Sequence, residues 1–219
     1  MMLKKEIQRK RIQKYFIDAA TRVIEEEGIN SITLRKVSDI AGYNSATLYN
    51  YFESVNHVKM LAAMRFIRPY ADQLPEFILG YKDAYDKTLL IWKCFLNHAF
   101  RSPQIYHAIF FANLNNPIHD YVKEYYQIYP EDLIQTDTNI NTMLLNSNLP
   151  DRNTVLLEEC VEEGFLDRAD FEELNNMLVL IFNGMLSKII NGEINDPVEL
   201  LIERTYKYIK ICFNGYLKK

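Results

Sequence analysis

The stretch from Thr33 to Phe52, TLRKVSDIAGYNSATLYNYF, constrains this chain more than any other. Leu34, Val37, Ile40 and Ala41 recur at three- and four-residue intervals, the period of one helix face. Thr33 stands just ahead of them, where its hydroxyl oxygen can accept from an amide of the first turn. Gly42 supplies the permissive backbone that ends such a helix. Asn44 is placed to cap a second helix. There Leu48 and Phe52 face inward, while Ser45, Ala46, Thr47, Tyr49, Asn50 and Tyr51 bring mostly small, polar or phenolic groups. Two helices about a glycine turn, the second furnished in this way, make a helix-turn-helix.

The runs TLRKV (33–37), IAGY (40–43) and TLYNYF (47–52) closely resemble, in register, the DNA-binding segment of TetR-type transcriptional regulators. The resemblance implies double-stranded DNA as the partner. Arg35 carries the forked donors that suit guanine or phosphate, at a position the family often uses on bases. Ser45, Ala46 and Asn50 are candidates for base edges, with Asn44 capping beside them. Thr33, Lys36, Thr47, Tyr49 and Tyr51 are candidates for phosphates. The chain departs from the family after Ser54, where a Lys is common and Val55 stands; His57 and Lys59 are the candidates to replace that contact. The family also implies a dimeric repressor released from a palindromic operator by a small apolar or aromatic effector. The alternative is an activator, or a regulator whose C-terminal part answers to a protein partner.

Charge supports the DNA reading. The formal net charge is −4, yet residues 1–68 hold 12 Lys and Arg against 7 Asp and Glu, a formal +5. The remainder holds 13 against 22, a formal −9. Counterion release needs local cations, so an acidic average does not exclude DNA when the basic groups gather at one end. Lys4, Lys5, Arg9, Lys10 and Arg11 either follow a phosphate backbone or form a solvated tip. No uncharged apolar run reaches membrane-spanning length, and the N-terminus lacks a hydrophobic signal core. A soluble cytoplasmic protein is the expectation. Cys94, Cys160 and Cys212 match no metal spacing, so packed reduced thiols, no metal and no cofactor are expected.

Along the rest of the chain no convincing β-strand run and no internal repeat appears, so the fold class is all-α. A three-helix head (1–52), a connecting helix (53–70) and a larger helical effector-binding and dimerisation domain (71–219) are expected. The first helix covers 4–27, and Pro69 to Pro75 marks a break. A buried helix runs from Asp83 to Arg101, and the corner His98–Tyr106 resembles the helix-Pro-helix corner of many effector domains of the family. Pro117 opens a further helix to Tyr129. The Asn-, Thr- and Asp-rich segment 130–153 reads as a long connection or short helices, with a tighter pattern from Thr154. Asp170 with Glu173, and Asp196 with Pro197 and Glu199, look like helix starts. The last helix reaches Tyr216. These two C-terminal helices, about 170–216, are apolar beyond one narrow stripe and are the candidate homodimer interface.

The middle helices are aromatic-rich, which suits either a plain core or an apolar ligand cavity. Trp92, His98, Tyr106, His107 and Phe110 are the candidate effector contacts, with Asn113 as a further polar group. An enzyme finds little support: there is no Gly-rich phosphate loop. Cys94 and His98 lie four residues apart but lack an identifiable orienting third group, so no catalytic residue is assigned.

Overall fold

The computed structural model describes residues 2–111, 118–133 and 138–218. In chain order the helices are α1 (Met2–Glu27), α2 (Leu34–Ala41), α3 (Ser45–Leu48), α4 (Val55–Met64), α5 (Arg68–Phe77) and α6 (Ala84–Ala99). Then follow α7 (Pro103–Phe111), α8 (Ile118–Ile128), α9 (Thr138–Leu145), α10 (Leu149–Glu162), α11 (Phe171–Ile190) and α12 (Val198–Tyr216). The sole β feature among the described residues is an isolated antiparallel bridge between Leu166 and Leu217. The fold is all-α with a helix-turn-helix at its N-terminal end. It divides into two compact units, residues 1–68 with 111–133 and residues 69–110 with 134–219.

In the first unit α1 covers α2, α3 and α4. Phe16 is fully buried, and its ring meets Tyr43, Phe52 and Tyr51 at 5.3, 5.9 and 6.5 Å between centroids. Val37, Leu48, Val58 and Leu61 close the same core at 0% exposure. Helix α8, which the sequence order puts after position 71, clusters with this unit. Its Val122 and Tyr125 are buried. Glu124 accepts from Gln13 of α1 at 3.0 Å and pairs with the His57 Nε2 of α4 at 2.9 Å. Asp18 takes Arg65 at 2.6 Å and the Tyr129 hydroxyl at 3.1 Å. Asp132 takes Arg68 at 2.5 Å and the Tyr125 hydroxyl. The buried His57 and the half-buried Glu124 hold α1, α4 and α8 in one arrangement, because breaking that pair strands His57 away from water; Asp18 and Arg68 are exposed and contribute less.

The second unit is built around Phe95 of α6. Its ring centroid lies 5.0–5.9 Å from those of Phe182, Tyr106, Phe110, Tyr70 and Trp92. A buried polar thread crosses the same core: Trp92 Nε1 donates to Asn153, and Asn153 donates to Asn175 at 2.9 Å.

Several local expectations are corrected. The break at Pro69–Pro75 is a helix, α5. Pro69 sits in its first turn, where no amide is needed, and Pro75 lies near its end. The segment 130–153 contains a 3-10 turn (Pro130–Asp132), α9 and the start of α10, which Asn148 caps from the Asp151 amide at 2.7 Å. Asp170 makes no side-chain cap; it ends a 3-10 turn with helical backbone. Pro197, not Asp196, takes the cap position of α12 without a side-chain cap bond. Asp196 instead pairs with Arg204 at 2.8 Å and Glu199 with Arg101 at 3.0 Å. A cation within reach outcompetes a neutral amide for a carboxylate.

Candidate functional site

The helix-turn-helix is set by side chains that act within three residues. Thr33 is extended (φ −130°, ψ 153°), and its hydroxyl oxygen accepts from the Lys36 amide at 3.3 Å. Gly42 adopts φ 77°, the left-handed conformation that only glycine takes without strain, and its amide returns to the Ser38 and Asp39 carbonyls. The Asn44 side-chain oxygen accepts from the Thr47 amide at 2.8 Å and the Thr47 hydroxyl at 2.9 Å. The α-helical part of α3 is only Ser45–Leu48. It continues as tight turns in which Asn50 donates to the Thr47 carbonyl, and Tyr51 and Phe52 donate to that of Leu48. A four-residue helix does not persist by itself. Its cap and the burial of Leu48 and Phe52 hold it.

These constraints leave one face of α3 open. Ala46, Tyr49 and Asn50 are exposed, Tyr49 at 57%, while Ser45, Thr47 and Tyr51 are half-buried. The Arg35 side chain is 91% exposed and only loosely paired with Asp39 at 3.7 Å. Lys36 differs: its ammonium lies 2.5 Å from Glu27, so reaching a phosphate requires leaving that carboxylate. Ile40, expected inside, is 42% exposed. Ser38 takes the buried place, with a hydroxyl that finds no hydrogen-bond partner among the described residues.

A residue that sequence reading left in a general basic cluster has a definite position. Arg9 of α1 donates from Nη1 to the Asn50 carbonyl at 3.1 Å and from Nη2 to the Tyr51 carbonyl at 3.3 Å. Its guanidinium also lies 5.4 Å from the Tyr51 ring centroid. Carbonyls at the end of a short helix lack intrahelical partners and carry partial negative charge, so a cation there both pairs and orients them.

Helix α4 begins as expected, with the Ser54 hydroxyl accepting from the His57 amide at 3.2 Å. His57 does not face outward and is no candidate phosphate contact. It is 4% exposed, between the rings of Phe52 and Tyr121, and held by Glu124. Lys59 is half-buried, and desolvation lowers its pKa.

Inside the second unit a void is bounded by Tyr70, Ile91, Trp92, Phe95, Met143, Leu149, Arg152, Asn153 and Leu156, with about 20 Å³ open. Of the candidate effector contacts, Trp92 lines it, while Tyr106 and Phe110 pack on Phe95, which also lines it. His98 is half-buried, hydrogen-bonds Gln73 at 2.9 Å and has its pKa lowered by burial and by Arg101. His107 is half-buried and does not line the void. Asn113 lies outside the described residues. Arg152 was not singled out by sequence reading, since an Arg in a first turn normally reads as solvated. Cys94 is buried, its thiol pushed up to about 12, far from a reactive thiolate. Among the described residues no group of three or more His, Cys, Asp or Glu is placed to hold a metal ion. No helix among them is long and apolar enough to cross a membrane.

Residues 16–55 match the family model of bacterial regulatory proteins of the tetR family. A curated relative, an uncharacterized HTH-type transcriptional regulator (YobS) of Bacillus subtilis strain 168, is 25% identical over 97 residues. That match covers 44% of this chain and spans half the relative's length. Among solved structures, Thermus thermophilus FadR, a TetR-family transcriptional repressor in complex with lauroyl-CoA, superposes with a TM-score of 0.61 at 15% identity. That superposition covers 94% of this chain and 96% of the other. SmeT, the repressor of the Stenotrophomonas maltophilia multidrug efflux pump SmeDEF, gives 0.54 at 16% identity, covering 94% and 91%. At these identities the structures share the fold, and residues 16–55 are similar to the DNA-binding head of the tetR family.

Proposed function

We propose that the chain is a dimeric, cytoplasmic DNA-binding regulator that represses from a palindromic operator and is released by a small apolar or aromatic effector. The observation that carries the DNA reading is the open face of α3, capped by Asn44 at one end and clamped by Arg9 at the other. Such a face enters a major groove. Arg35 reaches a guanine or phosphate, Ser45, Ala46 and Asn50 meet base edges, and Thr33, Lys36, Thr47, Tyr49 and Tyr51 meet phosphates. Arg35→Ala then costs about 1–3 kcal/mol on the cognate site.

Dimerisation is supported by apolar side chains left outward on α11 and α12. Met177 and Leu180 are 39% and 67% exposed, and Leu200, Tyr208 and Ile211 are 54%, 45% and 58%. Each set falls on one helix face. Gly184 and Gly215 continue these faces, and a Cβ at either would meet nothing within 4 Å, which leaves room for close helix approach. One helix-turn-helix reads too few base pairs alone, so a twofold pair is the working form.

Effector response is supported by the aromatic interior of the second unit, and by the relative that binds lauroyl-CoA in the same fold. The chain passes between the units at 68/69, 110/111 and 133/134. An effector acts by shifting the position of α4, and with it the distance between the two DNA-reading heads of the dimer. An effector moves that equilibrium only as far as it prefers one state over the other. Genome-wide binding of the tagged protein tests the whole reading. A palindromic site recovered and bound in vitro supports it; binding without sequence preference defeats it.

A further inference from the structure

The core of the second unit contains a polar corner that the helix-turn-helix leaves unused. Arg152, in the first turn of α10, is 3% exposed. Its Nε donates to the Asn146 carbonyl at 2.7 Å and its Nη2 to the Leu144 carbonyl at 2.9 Å, so the end of α9 holds the guanidinium in place. Its Cζ lies 4.9 Å from the Phe110 ring centroid of α7. One turn earlier on α7, Tyr106 is 1% exposed, and its hydroxyl has no hydrogen-bond partner among the described residues. Tyr70 of α5, 2% exposed, lines the same void as Arg152, and its ring and that of Tyr106 both pack on Phe95, at 5.6 and 5.5 Å. Burial raises both phenol pKa values well above the ordinary, so both keep their protons.

Tyr70 and Arg152 line the void with Trp92, Phe95 and Met143, and the Tyr106 ring packs on Phe95 of that lining at 5.5 Å. A buried hydroxyl with nothing to bond is a standing cost to the fold, and it calls for a water or ligand that completes it. A protonated phenol and a guanidinium both donate, and apart from Asn153, whose side chain is bonded to Trp92 and Asn175, the walls around them are apolar and aromatic. That combination suits a small acid with an apolar body.

We propose that this corner is the head-group site for a small monocarboxylate with an aromatic or short aliphatic body. The Tyr106 hydroxyl and the Arg152 guanidinium donate to the carboxylate, and the body lies among Trp92, Phe95 and Ile91. The open volume of about 20 Å³ has room for about one water, so the body enters only as the wall yields. Met143, unbranched and adaptable, is the wall residue that yields to admit the body. The inference rests on the second unit being ligand-responsive and adds the class of ligand.

Thermal unfolding of the full chain tests it, with benzoate, phenylacetate, hexanoate and octanoate as probes, each beside the alcohol of the same skeleton. At roughly a hundred times its Kd, a bound acid raises Tm by about 5–10 °C. The expected result is such a shift with at least one acid and little with its alcohol. Tyr106→Phe removes the unpartnered hydroxyl, so it keeps or raises the Tm of the free protein while weakening the acid about tenfold or more. Alcohols that bind as well as acids, or a Tyr106→Phe protein that binds the acid unchanged, overturn the carboxylate site but leave a ligand-responsive domain standing. Silence from every probe overturns the carboxylate site, and operator binding measured without probe on the same preparation judges the DNA reading separately.

Discussion

Replacing Arg9 separates a clamp from a phosphate contact. The side chain makes two hydrogen bonds to the carbonyls of Asn50 and Tyr51 and lies over the Tyr51 ring, all at an exposed site. Each bond contributes about 0.5–1.5 kcal/mol and the ring contact about 0.5–1 kcal/mol, less the cost of holding a long side chain still. Arg9→Ala should therefore weaken operator binding by about 1–2 kcal/mol, roughly five- to thirtyfold. Arg9→Lys keeps the charge but loses the fork that spans two carbonyls, so it should recover only part of that loss. A clamp acts on the shape of α3. Both variants should then lower the ratio of operator to random-duplex affinity, and Arg9→Lys should keep the wild-type salt slope. Fluorescence anisotropy across a salt series reads both quantities. If Arg9→Lys binds like wild type, and Arg9→Ala merely lowers the slope of log K against log salt by about 0.9, Arg9 is a phosphate cation and the clamp is wrong.

Asn44→Ala should destabilise the head by about 0.5–2 kcal/mol in urea unfolding, because it removes the cap on a helix too short to survive alone. Asn44→Asp retains a capping oxygen and should keep stability yet lose DNA affinity by placing a negative charge against phosphate; equal losses in both assays would deny it a place at the DNA face. Leu180→Glu or Ile211→Glu each strike a twofold contact twice, so sedimentation should show monomers, from a loss of about 3–6 kcal/mol per dimer. An unchanged dimer would move the interface elsewhere. Burial raises the Cys94 thiol from its ordinary 9 to about 12 and that of Cys160 to about 11. Between those values the folded chain binds more protons than the unfolded one, so stability should fall as pH rises above about 9. The slope is at most about 1.4 kcal/mol per pH unit per group, and Cys94→Ala should make it shallower. A flat profile from pH 8.5 to 10.5 would contradict the burial of these thiols.

What could be read from the sequence was whatever acts locally. Thr33, Asn44 and Ser54 cap the amide three residues on, Gly42 turns the chain where it stands, and Leu48 and Phe52 are buried as their spacing implies. What could not be read depends on partners far along the chain. Gln13 meets Glu124, 111 residues away, and with that contact α8 joins the first unit. His57 looks like a phosphate ligand until Glu124 is placed against it, and Arg9 like a loose cation until the end of α3 lies beneath it. Arg101 and Arg204 take the carboxylates of Glu199 and Asp196, which local patterning assigned to a helix start. Ile40 is exposed although it shares the period of Leu34 and Val37, and Ser38 is buried, because the rotation of α2 is set by what it packs on rather than by its own period.

The central claim is that α3 reads a major groove twice, through a pair of chains joined by α11 and α12. Its most direct test is the affinity and stoichiometry of the full chain on its recovered operator, against a random duplex of equal length, at about 150 mM salt. The account predicts two chains per palindromic site and a preference of about a thousandfold or more. One chain per duplex, with equal affinity for both sequences, would contradict it.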